Sequence, residues 1–214
     1  MTIQYKVDLS AQFGQARQQG RRGTCTVFAA SDVNRVVSGA AADLSPEYLY
    51  MTAGMLMPNW QVGQGIFPWA AMDAIRNPGQ PLETDYPYQA AHPAIAAAPV
   101  TAAGVAMYCS DLGGHSEVMQ DVLDRLNDGH PVGLVIRVTS AFYTPTVDGV
   151  VDPKAGIVPN STHVVVATGW GHSAATGRHV RVRNSWGPGW GQQGYAWLPE
   201  KFVDQHVIEA FGRK

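Results

Sequence analysis

A chain of 214 residues with 45% apolar and 15% charged side chains has enough material for a packed core, as one large domain or two small lobes. Its formal net charge of −2 gives no electrostatic footing for nucleic acid or an anionic membrane as partner, and no apolar run reaches the length of a membrane span. The N-terminus lacks a basic region followed by an apolar stretch, so no export signal is expected.

From Gly23 to Gly39, the apolar residues Val27, Phe28, Ala30, Val33, Val36 and Val37 recur at helical spacing, with Gly39 as a stop. Ser45 to Met57 predicts a second helix, with Ser45 as cap, Pro46 in the first turn and Glu47 near the positive end. Pro68 to Arg76 predicts a third, ended by Asn77-Pro78-Gly79. The stretch from Gln89 to Gly104 is rich in alanine and proline. Pro93 and Pro99 make it an extended crossing segment and the expected lobe boundary. Ser116 to Asn127 predicts a fourth helix, with Val118, Val122, Leu123 and Leu126 on one face. Short β-like runs follow at Val132–Val138, His163–Thr168, His179–Arg183 and Tyr195–Leu198. Helices first and strands second predict an α+β fold in two lobes, and no internal repeat is present.

Two residues carry all the thiol chemistry, Cys25 and Cys109. A lone cysteine is usually a small buried apolar side chain, and Cys109 is expected to be one. Cys25 differs. Gly20 and Gly23 lie just before it and it opens a helix, where unsatisfied N–H groups and the dipole favour thiolate over thiol. With Cys25 used for chemistry no structural disulfide is left, which suits a reducing compartment. The expected location is the cytoplasm, or a reducing cytosol entered as an effector restrained by a cognate inhibitor or immunity protein.

His163 leads the run Val164-Val165-Val166-Ala167-Thr168, at the mouth of a buried strand, and is the candidate base. His172 precedes the turn Ser173-Ala174-Ala175-Thr176-Gly177 and reads as a loop residue; His179 is too close to Asn184. The histidines lack i, i+4 pairing, two cysteines cannot make a zinc finger, and no glycine loop cradles a phosphate. Neither a metal nor a cofactor is expected.

The segment Gln19-Gly20-Arg21-Arg22-Gly23-Thr24-Cys25-Thr26, read with His163 and Asn184-Ser185-Trp186-Gly187-Pro188-Gly189-Trp190-Gly191-Gln192-Gln193-Gly194-Tyr195, resembles the papain family of cysteine peptidases. Leu44-Ser45-Pro46-Glu47, Gly65-Ile66-Phe67-Pro68-Trp69-Ala70 and Tyr86-Pro87-Tyr88 are similar to further family landmarks, in the family's order. The resemblance runs from about residue 8 to about residue 198, and the Cys25–His163 separation falls inside the family's window of ~130–150 residues. It implies a helical lobe over residues 10–105 and a β-barrel lobe over residues 106–214, to which residues 1–9 cross, with a cleft between the lobes. Cys25 is then the nucleophile, His163 the base and Asn184 its orienter, covered by Trp186. The Gln19 amide and the Cys25 N–H are then the oxyanion donors. Gln18 is adjacent, but Gln19 precedes Gly20 as in the family.

For substrate binding, the resemblance points to the backbones of Gly23, Gly65 and Ile66, to Phe67, Pro68 and Val135 as walls of an apolar pocket, to Thr162 beside His163, and to Trp186. Phe67 and Val135 suit core packing equally well. Three departures stand out. Arg22 replaces a cysteine that is normally disulfide-bonded, Thr26 replaces an aromatic, and Ile66 stands where relatives often carry glycine. They imply a divergent, disulfide-free, bacterial branch. The implied activity is hydrolysis of peptide bonds in proteins or peptides, by an endopeptidase. An acyltransferase or deamidase would use the same thioester, and a non-catalytic module of this fold would only bind proteins. Product mass on a defined substrate separates the first two.

Overall fold

The computed structural model describes residues 2–214. In chain order the elements are β1 (Gln4–Asp8), a 3-10 turn (Ser10–Gln12), α1 (Cys25–Ser38), α2 (Pro46–Leu56), α3 (Pro68–Arg76), β2 (Leu112–His115), α4 (Met119–Asn127), β3 (Val132–Thr139), α5 (Ser140–Tyr143), β4 (Ile157–Ser173), β5 (Gly177–Arg183), β6 (Tyr195–Pro199), α6 (Glu200–His206) and β7 (Val207–Arg213). The fold is α+β, in two compact units. One runs from Gln19 to Gly113 with Arg213 and Lys214; the other holds the stretch ending at Gln18 and Gly114–Gly212. Among the described residues, no helix is long and apolar enough to cross a membrane.

The helical unit is built on α1, whose residues from Thr26 to Asn34 are all buried. A helix buried all round must satisfy its polar side chains internally. Ser31 Oγ donates to the Val27 carbonyl (2.6 Å), Asn34 Nδ2 donates to Gln80 Oε1 (2.9 Å), and Gln80 Nε2 donates to Ser31 Oγ (2.7 Å). Gly39 ends the helix in the left-handed region (φ 71°), a conformation that costs a side-chain-bearing residue strain. Ser45 caps α2 by accepting from the Tyr48 N–H (3.0 Å), with Pro46 at the first turn. The segment from Gln89 to Gly104 forms neither helix nor strand.

The sequence puts the lobe boundary in that segment; the units divide later, between Gly113 and Gly114. The chain beyond it still pairs with the helical unit: Tyr108 exchanges both backbone hydrogen bonds with Gln80, and its carbonyl accepts from Asn34. The N-terminal division likewise falls at Gln18, because residues 4–8 form β1. Cys109 is exposed and not in the core, on a chain edge where its thiol donates to the Pro78 carbonyl (3.5 Å).

The sheet unit carries strands in the order β2-β7-β3-β4-β5-β6, with β1 on β4. β4 is the longest, at 17 residues. Its first part pairs with β3 and its last part lies between β1 and β5. Gly169 and Gly171 allow that approach, since a Cβ on either would lie 2.5 and 2.7 Å from the carbonyl oxygens of Val7 and Gln4. Helix α4 packs on β4, and α6 on β5 and β6. Five elements escape a pattern reading: β1, β2 and β7 lack strict alternation, and α5 and α6 are short. His172, expected in a loop, is inside β4, paired with Gln4 and Arg178. Its side chain is exposed although its backbone is paired on both sides, so its polarity gives the pattern of a loop residue.

Candidate active site

On the sheet unit the site is built around β4. Residues 157–162 of this strand are largely exposed, and burial begins at His163, which is 4% exposed. His163 is therefore mid-strand, opposite Ile136 of β3, and not at the strand's start as the sequence suggests. Thr162, its neighbour, turns to solvent, while Val135 of β3 is buried opposite Val164.

The His163 Nε2 atom lies 2.7 Å from Asn184 Oδ1. The Ser185 backbone N–H donates to the same Asn184 oxygen (2.8 Å). A backbone N–H can only donate, so the Asn184 atom facing both groups is the carbonyl oxygen, and the ring nitrogen facing it carries the proton. The neutral ring is thus held as the Nε2–H tautomer, with the Nδ1 lone pair on its other side. Asn184 is itself fixed: its backbone N–H donates to the Gly194 carbonyl (2.9 Å).

Aromatic rings enclose the pair. The Trp186 ring is 4.6 Å from the imidazole centroid, and Phe142 is 5.8 Å away. Tyr143 stacks on Trp186 at 5.6 Å, and Trp190 Nε1 donates to the Phe142 carbonyl (2.9 Å). Burial pushes His163 down to about 4, the Asn184 hydrogen bond pulling weakly the other way. Phe142 and Tyr143 sit on the four-residue α5, too short for a periodic signal, and were not legible in the sequence.

On the helical unit, Cys25 is the first residue of α1 and is half-buried. No disulfide forms, and both cysteines are thiols. Gln19 is buried, and its Nε2 donates to the Arg22 carbonyl (2.7 Å). Gln18 is the exposed neighbour, on the sheet unit, donating to the Trp186 carbonyl (3.1 Å). Arg22 and Glu47, read from sequence as a replaced cysteine and a helix-end charge, form a buried ion pair (2.5 Å). Tyr88 donates to the Gln19 carbonyl (2.9 Å) and shares a hydrogen bond with Thr24 Oγ1 (2.8 Å). An arginine in a run flanked by glycines and followed by buried helix was the available signal for that pair.

Of the remaining substrate candidates, Gly23 and Gly65 are exposed neighbours: a Cβ on Gly65 would lie 3.8 Å from the Gly23 carbonyl oxygen. Ile66, between exposed Gly65 and exposed Phe67, is buried. Phe67 is 61% exposed, which removes the core-packing reading, and Pro68 is buried as the first residue of α3. Among the described residues, no group of three or more His, Cys, Asp or Glu side chains could hold a metal ion.

Comparison with known proteins gives one answer. The family model described as "Papain family cysteine protease" matches residues 4–210. Cysteine protease 1 of Oryza sativa subsp. japonica is 31% identical over 196 residues, covering 88% of this chain and 38% of the rice protein. The chain spans 38% to 54% of the length of the first curated relatives it matches. Among solved structures, xylellain, a cysteine protease from Xylella fastidiosa, superposes with a TM-score of 0.79 at 19% identity, covering all of this chain and 87% of that one. The Carica candamarcensis cysteine protease, solved with E-64, gives 0.74 at 22% identity, covering 96% of each chain. These two likenesses are of fold. The match over residues 4–210 places the chain in the papain family of cysteine proteases.

Proposed function

We propose that this chain is an endopeptidase that cleaves protein or peptide substrates through a thioester on Cys25. The observation that carries the reading is the His163–Asn184–Ser185 hydrogen-bond arrangement, which leaves the Nδ1 lone pair of a neutral imidazole as an acceptor for a thiol proton. Cys25 transfers its proton to His163, and its sulfur attacks the substrate carbonyl. The helix N-terminus of α1 favours the thiolate. A buried His163 resists protonation alone, so the imidazolium and the thiolate stabilise one another as a pair.

Negative charge on the tetrahedral oxygen is met by the Gln19 amide and the Cys25 backbone N–H. His163 then protonates the leaving amine, and the thioester remains. In the second half, His163 takes a proton from water, the hydroxide attacks the thioester, and the acid product leaves as Cys25 recovers its proton. Exposed glycines at 23 and 65 suit the approach of an extended peptide backbone.

The reading is tested by intact-mass spectrometry after exposure to an epoxysuccinyl inhibitor, on wild type, Cys25→Ala and His163→Ala, with fragment mapping of a denatured protein substrate. One adduct on Cys25 that depends on His163, with internal fragments, supports it. Wild-type protein that stays unlabelled under reducing conditions, or fragments confined to chain ends, overturns the nucleophile or the endopeptidase mode respectively.

A further inference from the structure

We infer that the buried pair Arg22–Glu47 is a positioning device for the oxyanion loop, a strut that sets the Gln19 amide without a covalent bond. The inference rests on the proposed role of Gln19. Arg22 occupies the centre of the loop that runs from Gln19 to Thr24, and it acts at both ends of its own residue. Its backbone carbonyl accepts from Gln19 Nε2 (2.7 Å) and from the Thr24 N–H (2.9 Å). A primary amide carries two N–H donors, and this acceptor takes one of them, which fixes the amide plane.

The other end of Arg22 is bolted to the helical unit. Its guanidinium donates twice to Glu47 on α2, Nη1 to Oε2 at 2.5 Å and Nη2 to Oε1 at 3.2 Å. Nη1 also donates to the Gln89 carbonyl at 2.7 Å, and the Gln89 N–H returns a bond to Glu47 Oε2 at 3.2 Å. The guanidinium carbon lies 4.9 Å from the Tyr50 ring centre and 4.8 Å from that of Tyr88. The Tyr88 hydroxyl closes the circuit through the Gln19 carbonyl and Thr24 Oγ1. Gln19 and Thr24 are therefore each tied to the same buried cluster, Thr24 being the residue just before Cys25 in the chain.

Both side chains of the pair are almost fully buried, at 2% and 3% exposure. A buried ion pair is weak evidence for stability, because desolvation consumes much of its Coulombic gain. What such a pair secures here is geometry: a planar fork on a carboxylate, gripped between two rings, permits one orientation. A lysine would keep the charge and lose the fork. The strut also has a redox consequence. The ion pair holds its geometry whatever the thiol–disulfide poise, whereas a covalent cystine link depends on it.

The test separates positioning from simple stability. Wild type, Glu47→Gln, Arg22→Lys and the double variant Arg22→Met/Glu47→Leu are compared in four measurements. These are kcat and KM on a peptide substrate, affinity for a peptide aldehyde whose hemithioacetal oxygen occupies the oxyanion site, rate of Cys25 alkylation by iodoacetamide, and Tm. In Glu47→Gln and Arg22→Lys, kcat and aldehyde affinity are expected to fall about tenfold or more, since one oxyanion donor is misaimed, while KM and alkylation change less than about threefold. The apolar double variant is expected to recover Tm without recovering kcat, as buried ion pairs tolerate well-packed apolar replacement.

Wild-type kcat and aldehyde affinity in a folded double variant overturn the inference and leave the catalytic reading standing. If that variant does not fold, the single variants decide: equal losses in alkylation and aldehyde affinity overturn it. A His163→Ala control whose Cys25 alkylates at the wild-type rate overturns the catalytic reading, and the inference with it.

Discussion

Asn184 Oδ1 accepts from two directions, from His163 Nε2 at 2.7 Å and from the Ser185 N–H at 2.8 Å, and this double use fixes which way the amide faces. The backbone bond leaves the side chain no reason to flip, so the imidazole is presented in one tautomer. Asn184→Ala is expected to lower kcat by roughly 10²-fold, the scale of a general base that has lost its orientation, with KM little changed. Steady-state kinetics on a peptide substrate check it. A kcat within threefold of wild type would show that Trp186 and Phe142 alone hold the ring.

His163 has a pH signature that is cleanest without the thiolate. In Cys25→Ala protein its imidazole is expected to titrate near 4, well below the ordinary 6.5, because the charged form is desolvated. The unfolded chain then binds more protons between these values. Stability from this group is complete above pH 6.5 and is lost as the pH falls through about 4, by roughly 3 kcal/mol at the limit. NMR titration of the His163 ring, with Tm followed over the same range, measures both. A midpoint at or above 6.5 in Cys25→Ala would contradict the burial argument.

Gln19 and Gln18 are neighbours in sequence with different surroundings, the first buried and the second exposed. Gln19→Ala is expected to cost ~10²–10³ in kcat, the effect of removing one oxyanion donor. Gln18→Ala loses a surface hydrogen bond to Trp186 and is expected to cost less than about threefold, in line with ~1 kcal/mol or less for such a bond. Parallel kcat values for the two variants decide the register, and a reversed order assigns the donor to Gln18.

Gly194 ties the motif after Trp186 to Asn184. Its φ is +88°, its carbonyl accepts from the Asn184 N–H, and a Cβ there would lie 2.1 Å from the Ala16 Cβ. Gly194→Ala is expected to destabilise the protein by roughly 2–4 kcal/mol, from left-handed strain and overpacking together. Denaturant unfolding measures it. A loss below 1 kcal/mol would mean that the Ala16 segment moves freely aside.

The local code was readable without a structure. Helical spacing and end signals located α1, α2 and α3 within two residues, because Ser45, Gly39 and the Asn77-Pro78-Gly79 run act on backbone groups only a few residues away. The motif residues Gln19, Cys25, His163 and Asn184 were legible as a spaced set, since each carries its chemistry in its side-chain type. Cys109 and His172 were misplaced, because burial of one side chain depends on what packs over it, and strand membership on partners distant in sequence.

Sequence alone determined the fold class, the start of the helix that bears Cys25 and the identity of the candidate groups. Tertiary structure alone decided the tautomer of His163, the aromatic wall from α5, and the counter-charge for Arg22. The reason is physical. Helix caps and turns are short-range and written within a few residues, whereas a buried charge or an imidazole proton is settled by partners far along the chain. Glu47 is 25 residues from Arg22, and Asn184 is 21 from His163.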